Sequence, residues 1–115
     1  MILDRQSDVL VVLNAPPNLG DHVLDWLVSR PEGSGFTSMP VSGYGANTRE
    51  LSIAEQVAGS QRRIQFEIQM SSAVVDRFLE EAGSALGTLA IRYWVLPVLM
   101  AGHLGGQQDS PSPKR

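Results

Sequence analysis

A chain of 115 residues, 43% hydrophobic and 18% charged, has the length and composition of one soluble globular domain. A net charge of −3 gives no long-range pull toward nucleic acid, and the lack of cysteine excludes disulfides, thiol nucleophiles and thiolate metal sites. No apolar run reaches the about 18 residues of a membrane span, and the opening Met1-Ile2-Leu3-Asp4-Arg5 does not read as a secretory leader, so a cytoplasmic location is expected.

Asp8 to Asn14 (DVLVVLN) is a continuous, β-branched apolar run and predicts a buried strand that ends at Ala15-Pro16-Pro17. From Asn18 to Arg30, Leu19, Val23, Leu24, Trp26 and Leu27 recur at helical spacing, with Asn18 placed to cap the start and Pro31 and Gly33 to stop it. Gly35 to Tyr44 reads as an extended segment in which Pro40 marks an edge or a bulge. A polar stretch then runs to about Ser60, with a possible short helical piece over 51–57 and a capping box at Ser52 and Glu55. A connection of this length in so small a domain is often functional.

Arg62 to Met70 alternates strictly, with Ile64, Phe66 and Ile68 on one face and Gln65, Glu67 and Gln69 on the other, as in a strand with one wet face. Ser71-Ser72 caps a second helix from Ala73 to about Leu86, with Val74, Val75, Phe78, Leu79 and Ala82 turned inward. Thr88 to Leu99 is a second long β-rich run, broken late by Pro97. The segment from Gly105 on is Gly, Ser, Pro and charge, and its composition predicts disorder.

The resulting order, β-α-β-β-α-β, predicts an α+β ferredoxin-like sandwich: a four-stranded antiparallel sheet with two helices on one face. Residues 1–104 form the domain, 43–60 a long flexible loop within it, and 105–115 a disordered tail. The second sheet face has no cover within this chain. Phe66 and Tyr93 are candidates to lie on it, and self-association is the simplest way to bury it.

Four groups of residues are candidate sites. Gly43-Tyr44-Gly45 reads either as the ligand-facing base of the long loop or as an ordinary turn. Arg62-Arg63 reads as an anion clamp, since guanidinium groups bind phosphate or carboxylate through two parallel hydrogen bonds, or as an exposed pair bridged to Glu50 or Glu55. Arg92 interrupts an apolar segment and needs either a partner or an outward-pointing edge position. His22 and His103 are the only histidines. They are candidate metal ligands with Asp21, Asp25 or glutamates, or simple surface side chains. Trp26 and Trp94 fit packing positions. No triad, nucleophile elbow or paired carboxylates stand out, so the chain does not read as an enzyme.

Two blocks carry a family resemblance. Gly33-Ser34-Gly35-Phe36-Thr37 followed by Val41-Ser42-Gly43-Tyr44-Gly45 resembles the second strand of the PII signalling proteins. Arg92-Tyr93-Trp94-Val95-Leu96-Pro97-Val98 resembles the PII segment in which a phosphate-contacting lysine precedes an apolar strand. Together with Leu51 to Gly59 and Gln61-Arg62-Arg63, these stretches are similar to an uncharacterised PII-like family encoded beside heavy-metal efflux pumps.

The resemblance implies a homotrimer that binds a small effector in clefts between subunits. It also implies that the 43–60 loop, as a T-loop, acts on a membrane transporter, here a metal-efflux pump. It places Thr37 at an adenine contact, Gly43 and Gly45 near the phosphates, and Arg92 and His103 at phosphate-binding positions. The PII glycine run before the lysine is replaced by Ala85-Leu86-Gly87-Thr88-Leu89-Ala90-Ile91, which leaves the effector open between an adenine nucleotide and a divalent or copper ion. The alternative is a CutA-like protein that binds metal through His22 or His103.

Overall fold

The computed structural model describes residues 7–31, 35–44 and 60–106. Within them β1 (Asp8–Ala15), α1 (Gly20–Val28), β2 (Phe36–Tyr44), β3 (Ser60–Ser71), α2 (Val75–Leu86) and β4 (Arg92–Pro97) follow in chain order. The strands form one antiparallel sheet in the order β2-β3-β1-β4. This is the α+β, ferredoxin-like arrangement that the element order predicts. The alternating residues Val9, Val11, Leu13 and Ala15 of β1 and Phe66, Ile68 and Met70 of β3 meet Val23 and Leu27 of α1 and Val75, Phe78 and Leu86 of α2 in a single core. Period 2 on the strands and period 3.6 on the helices point the same residues inward from both layers.

The sheet explains why its two prolines are tolerated. Pro40 lies in β2 and Pro97 at the end of β4, the two outer strands, where a missing N–H interrupts no central ladder. Trp26 of α1 packs against Phe78 of α2, ring centroids 5.3 Å apart and tilted by 51°. Arg30 stacks over the Trp26 indole at 5.0 Å and is ion-paired to Glu81. α1 and the residues just after it are therefore joined to α2 by an aromatic contact and a charged one.

Three local expectations are revised. Asn18 does not cap α1. Pro17–Leu19 instead form a 3-10 turn in which the Leu19 N–H donates to the Pro16 carbonyl at 3.0 Å, and α1 proper starts at Gly20. Proline suits that first turn because its φ is already fixed and its missing N–H has no partner to lose. The Ser71 side chain does cap the second helical stretch, accepting from the Ala73 N–H at 3.1 Å, but a 3-10 turn over Ser72–Val74 precedes α2. The run from Thr88 to Ile91 is not strand. It is a turn in which the Thr88 hydroxyl accepts from the Ala90 N–H at 3.1 Å and the Thr88 carbonyl from the Ile91 N–H at 3.3 Å. Such side-chain-to-backbone bonds offer the chain an alternative to the ladder.

The sheet face away from the helices also differs from expectation. Phe66 is on the helix side, 2% exposed, and Tyr93 pairs with Leu13 on that same side. The open face instead carries Leu10, Val12, Trp94 and Leu96 on β1 and β4, beside Gln65, Glu67 and Gln69 on β3. Val12 lies directly between Glu67 and Trp94 in the register and is fully buried by these larger neighbours. Among the described residues no helix is long and apolar enough to cross a membrane. The capping box at Ser52 and Glu55, the short helix around it and the tail beyond 106 lie outside the described residues.

Candidate functional site

Antiparallel pairing brings one end of every strand to the same edge of the sheet. Asn14 at the end of β1 pairs with Gln65 of β3 and Arg92 of β4, while Gly43 of β2 pairs with Gln61 of β3. An open cleft of about 840 Å³ lies there. Its floor and walls include Asn14, Gly43, Gln61 and Arg63 from the strands, Leu89 and Ala90 from the turn before β4, and Arg92 and Trp94 from β4 itself. Leu89 and Tyr44 at the rim are strongly exposed, at 101% and 74%.

Glycine at 43 is not serving a turn. It lies inside β2, and a Cβ there would make only an ordinary contact with Arg63 Cγ at 3.5 Å. Glycine is therefore not required by the backbone. What a larger residue would change is the space: its side chain would project onto the face that Arg63 occupies, into the cleft.

The two arginines of the cleft differ in kind. Arg63 is only 9% exposed. Its Nε donates to Asn14 Oδ1 at 2.6 Å, and its Nη2 donates to the Asn14 carbonyl at 3.0 Å and the Ala90 carbonyl at 2.7 Å. It is not half of an exposed pair with Arg62, because a guanidinium buried at that depth needs fixed acceptors; the bridge partners Glu50 and Glu55 lie outside the described residues. Arg92 is exposed on the outer strand, with its guanidinium 5.9 Å from the Trp94 ring centroid, a cation–π distance. It takes the outward-pointing edge position.

Of the residues singled out in the sequence, the cleft gathers Gly43, Tyr44, Arg63 and Arg92. Thr37 faces the open side of the sheet opposite Glu67, six positions along β2 from Gly43, or about 20 Å at the usual strand rise. Arg62 is exposed on the other face of β3, His22 is exposed on α1, and His103 is exposed beyond β4. None of these four lines the cleft. Gly45 lies outside the described residues. Among the described residues no three histidine, aspartate or glutamate side chains come together to hold a metal ion.

Asn14, Gln61 and the Ala90 carbonyl are the components that the sequence did not single out. An asparagine closing an otherwise apolar strand is the signal by which the first of them could have been found. A backbone carbonyl leaves no sequence signal at all.

The fold and the cleft define a small ferredoxin-like α+β domain with an arginine-lined pocket at its strand ends. The chain belongs to the family described as "Protein of unknown function (DUF3240)", whose model matches residues 6–105. Among solved structures it is similar to a DUF3240 family protein from Shewanella baltica OS155, with a TM-score of 0.67 and 23% identity over 85% of this chain and 97% of that one. At that identity the likeness speaks for the fold alone. No curated protein matches the chain.

Proposed function

We propose that this protein is a PII-like regulatory module. In this reading it binds a small anionic effector in the cleft at the base of the β2–β3 connection and passes the bound state to a membrane transporter through that connection. The carrying observation is the cleft itself. It holds two guanidinium groups, three carboxamides and an indole, and no carboxylate among the described residues that line it. Such a lining favours an anion electrostatically, and the half-buried Trp94 and the exposed Leu89 and Tyr44 suit an apolar or aromatic body attached to that anion. Gly43, Tyr44 and Gln61 belong both to the cleft and to the strand ends that flank residues 45–59, so an occupant would touch the root of the connection.

Self-association fits the same reading. Beyond β4, Leu99, Met100 and Leu104 are exposed at 83%, 75% and 110%, next to Leu96 at 46%. A neighbouring subunit on that side would cover them and close the cleft's open flank, in keeping with the homotrimer that the resemblance implies.

Calorimetric titration of metal-stripped protein with ATP, with and without magnesium, and with inorganic phosphate tests the effector. Binding in the micromolar range is expected, with at least a tenfold loss of affinity in Arg92→Ala, the size expected for losing one charge-assisted contact of about 1.5–3 kcal/mol. Absence of heat at millimolar ligand removes the anion reading. Sedimentation of the same samples tests the assembly, and a monomer at micromolar concentration removes the shared cleft.

A further inference from the structure

We propose that Arg63 is a positioning residue: it anchors the Thr88–Ala90 wall of the cleft to the end of β1 and is not itself the ligand for an anion. The turn needs such an anchor. Thr88, Leu89 and Ala90 are all exposed, so burial contributes little to fixing them, and segments with few buried contacts open readily. Leu86 in the core and Ile91 against it hold the two ends but not the exposed residues between them.

The Arg63 side chain crosses beneath this turn from β3. Its planar fork meets Asn14 Oδ1, the Asn14 carbonyl and the Ala90 carbonyl at 2.6, 3.0 and 2.7 Å, joining β3, β1 and the turn in one set of bonds. Only a guanidinium offers several donors in a fixed plane at that reach. Its bonds to protein oxygens leave Arg92, exposed at the rim, as the cleft's outer cation. Arg63 lies near the start of β3, which begins at Ser60, and its partner Val41 in β2 is two positions from Gly43. One side chain thus ties the turn that walls the cleft to the strand pair that leads into the connection. This matters for effector binding only if the cleft is the ligand site described above, whereas the anchoring is measurable with no ligand present.

Amide hydrogen exchange on the full chain, wild type against Arg63→Lys and Arg63→Gln, reads the anchoring directly. Lysine keeps the charge but cannot span Asn14 Oδ1 and the Ala90 carbonyl together. Both variants are expected to exchange the Ala90 and Ile91 amides, the donors to Thr88, at least tenfold faster. Amides of the central strands, such as Val11 and Ile68, should keep their wild-type rates, which a general loss of stability would not allow. Phosphate or ATP titrations are expected to weaken equally in the two variants.

Wild-type exchange at Ala90 and Ile91 in Arg63→Lys overturns the proposal. So does an Arg63→Lys protein that binds phosphate like wild type while Arg63→Gln does not, because charge alone would then suffice. Should both variants fail to fold, Asn14→Ala removes one acceptor and leaves Arg63 in place. A smaller rise in exchange confined to the turn is then expected, and no rise overturns the anchoring. If ATP and phosphate fail to bind the wild type, the effector reading falls while the exchange result still decides the role of Arg63.

Discussion

Phe78→Ala is expected to lower the unfolding free energy by about 3–5 kcal/mol, the usual range for truncating a buried phenylalanine. Phe78 is fully buried on α2 and belongs to the core under the sheet. Its ring also makes the 5.3 Å contact with Trp26 that joins the helices. Truncation therefore removes apolar burial, opens a cavity and deletes an aromatic pair worth about 0.5–1.5 kcal/mol beyond its area. A domain of this size has about 5–15 kcal/mol in all, so a fifth or more of the stability depends on this ring. Urea unfolding followed by far-ultraviolet circular dichroism measures the change. A loss under about 1 kcal/mol with an unchanged slope would mean that the ring is not where the two layers meet. Coupling is checked with Trp26→Leu. The double variant is expected to lose less than the two single losses added together, since contacting residues are not additive.

Gly87→Ala and Gly83→Ala, four residues apart near the end of α2, are expected to move stability in opposite directions. A Cβ on Gly83 meets nothing within 4 Å, and its helical backbone accepts alanine. Gly83→Ala is therefore expected to stabilise by about 0.5–1 kcal/mol through helix propensity. Gly87 follows α2 directly with φ −52° and ψ 108°, so no left-handed backbone demands glycine there either, and the loss of unfolded-state freedom alone would favour alanine by about 0.4–1 kcal/mol. The obstacle is steric. A Cβ at 87 would lie 2.3 Å from the Gly83 carbonyl oxygen, and that oxygen is backbone and cannot swing aside. Overpacking of this kind costs about 1–3 kcal/mol, more than the entropic gain, so Gly87→Ala destabilises on balance. The displaced residue leads straight into the Thr88 turn, so its exchange rates should rise as well. A Gly87→Ala protein as stable as wild type would show that the end of α2 has room to shift.

Much of the architecture is legible in the sequence because the two periodicities are clean. Ile64, Phe66 and Ile68 alternate, Val75, Phe78 and Ala82 recur at helical spacing, and Pro16-Pro17 and Ser71-Ser72 punctuate. Each signal is local and agrees with the packing. The stretch from Thr88 to Ile91 is where local reading fails. Threonine and isoleucine favour strand, but the preceding Gly87, the Thr88 hydroxyl and a guanidinium arriving from residue 63 hold the chain in a turn. No window around residue 90 contains that guanidinium.

The site divides along the same line. Gly43, Tyr44 and Arg92, which the motifs single out, all line the cleft, since each sits at a strand end whose position the element order fixes. Arg63 lines the cleft too, but no sequence pattern tells whether an arginine meets a ligand or the protein's own carbonyls: that depends on burial, and neighbouring Arg62 is exposed while Arg63 is not. Placing Phe66 and Tyr93 on the open face fails for a simpler reason. Alternation shows which residues share a face, and only the register with β1 shows which face the helices cover.

The two tryptophans lie on opposite sides of one sheet, Trp26 among the helices and Trp94 in the cleft. The molecule thus carries two native fluorophores that report on different events. Trp26→Phe leaves a single emitter at the mouth of the pocket, where acrylamide quenching and spectral shifts follow occupancy. Trp94→Phe leaves one that brightens or shifts only when the layers part. Ligand binding and unfolding can then be followed by the same optical signal, at the same concentration, without any attached dye.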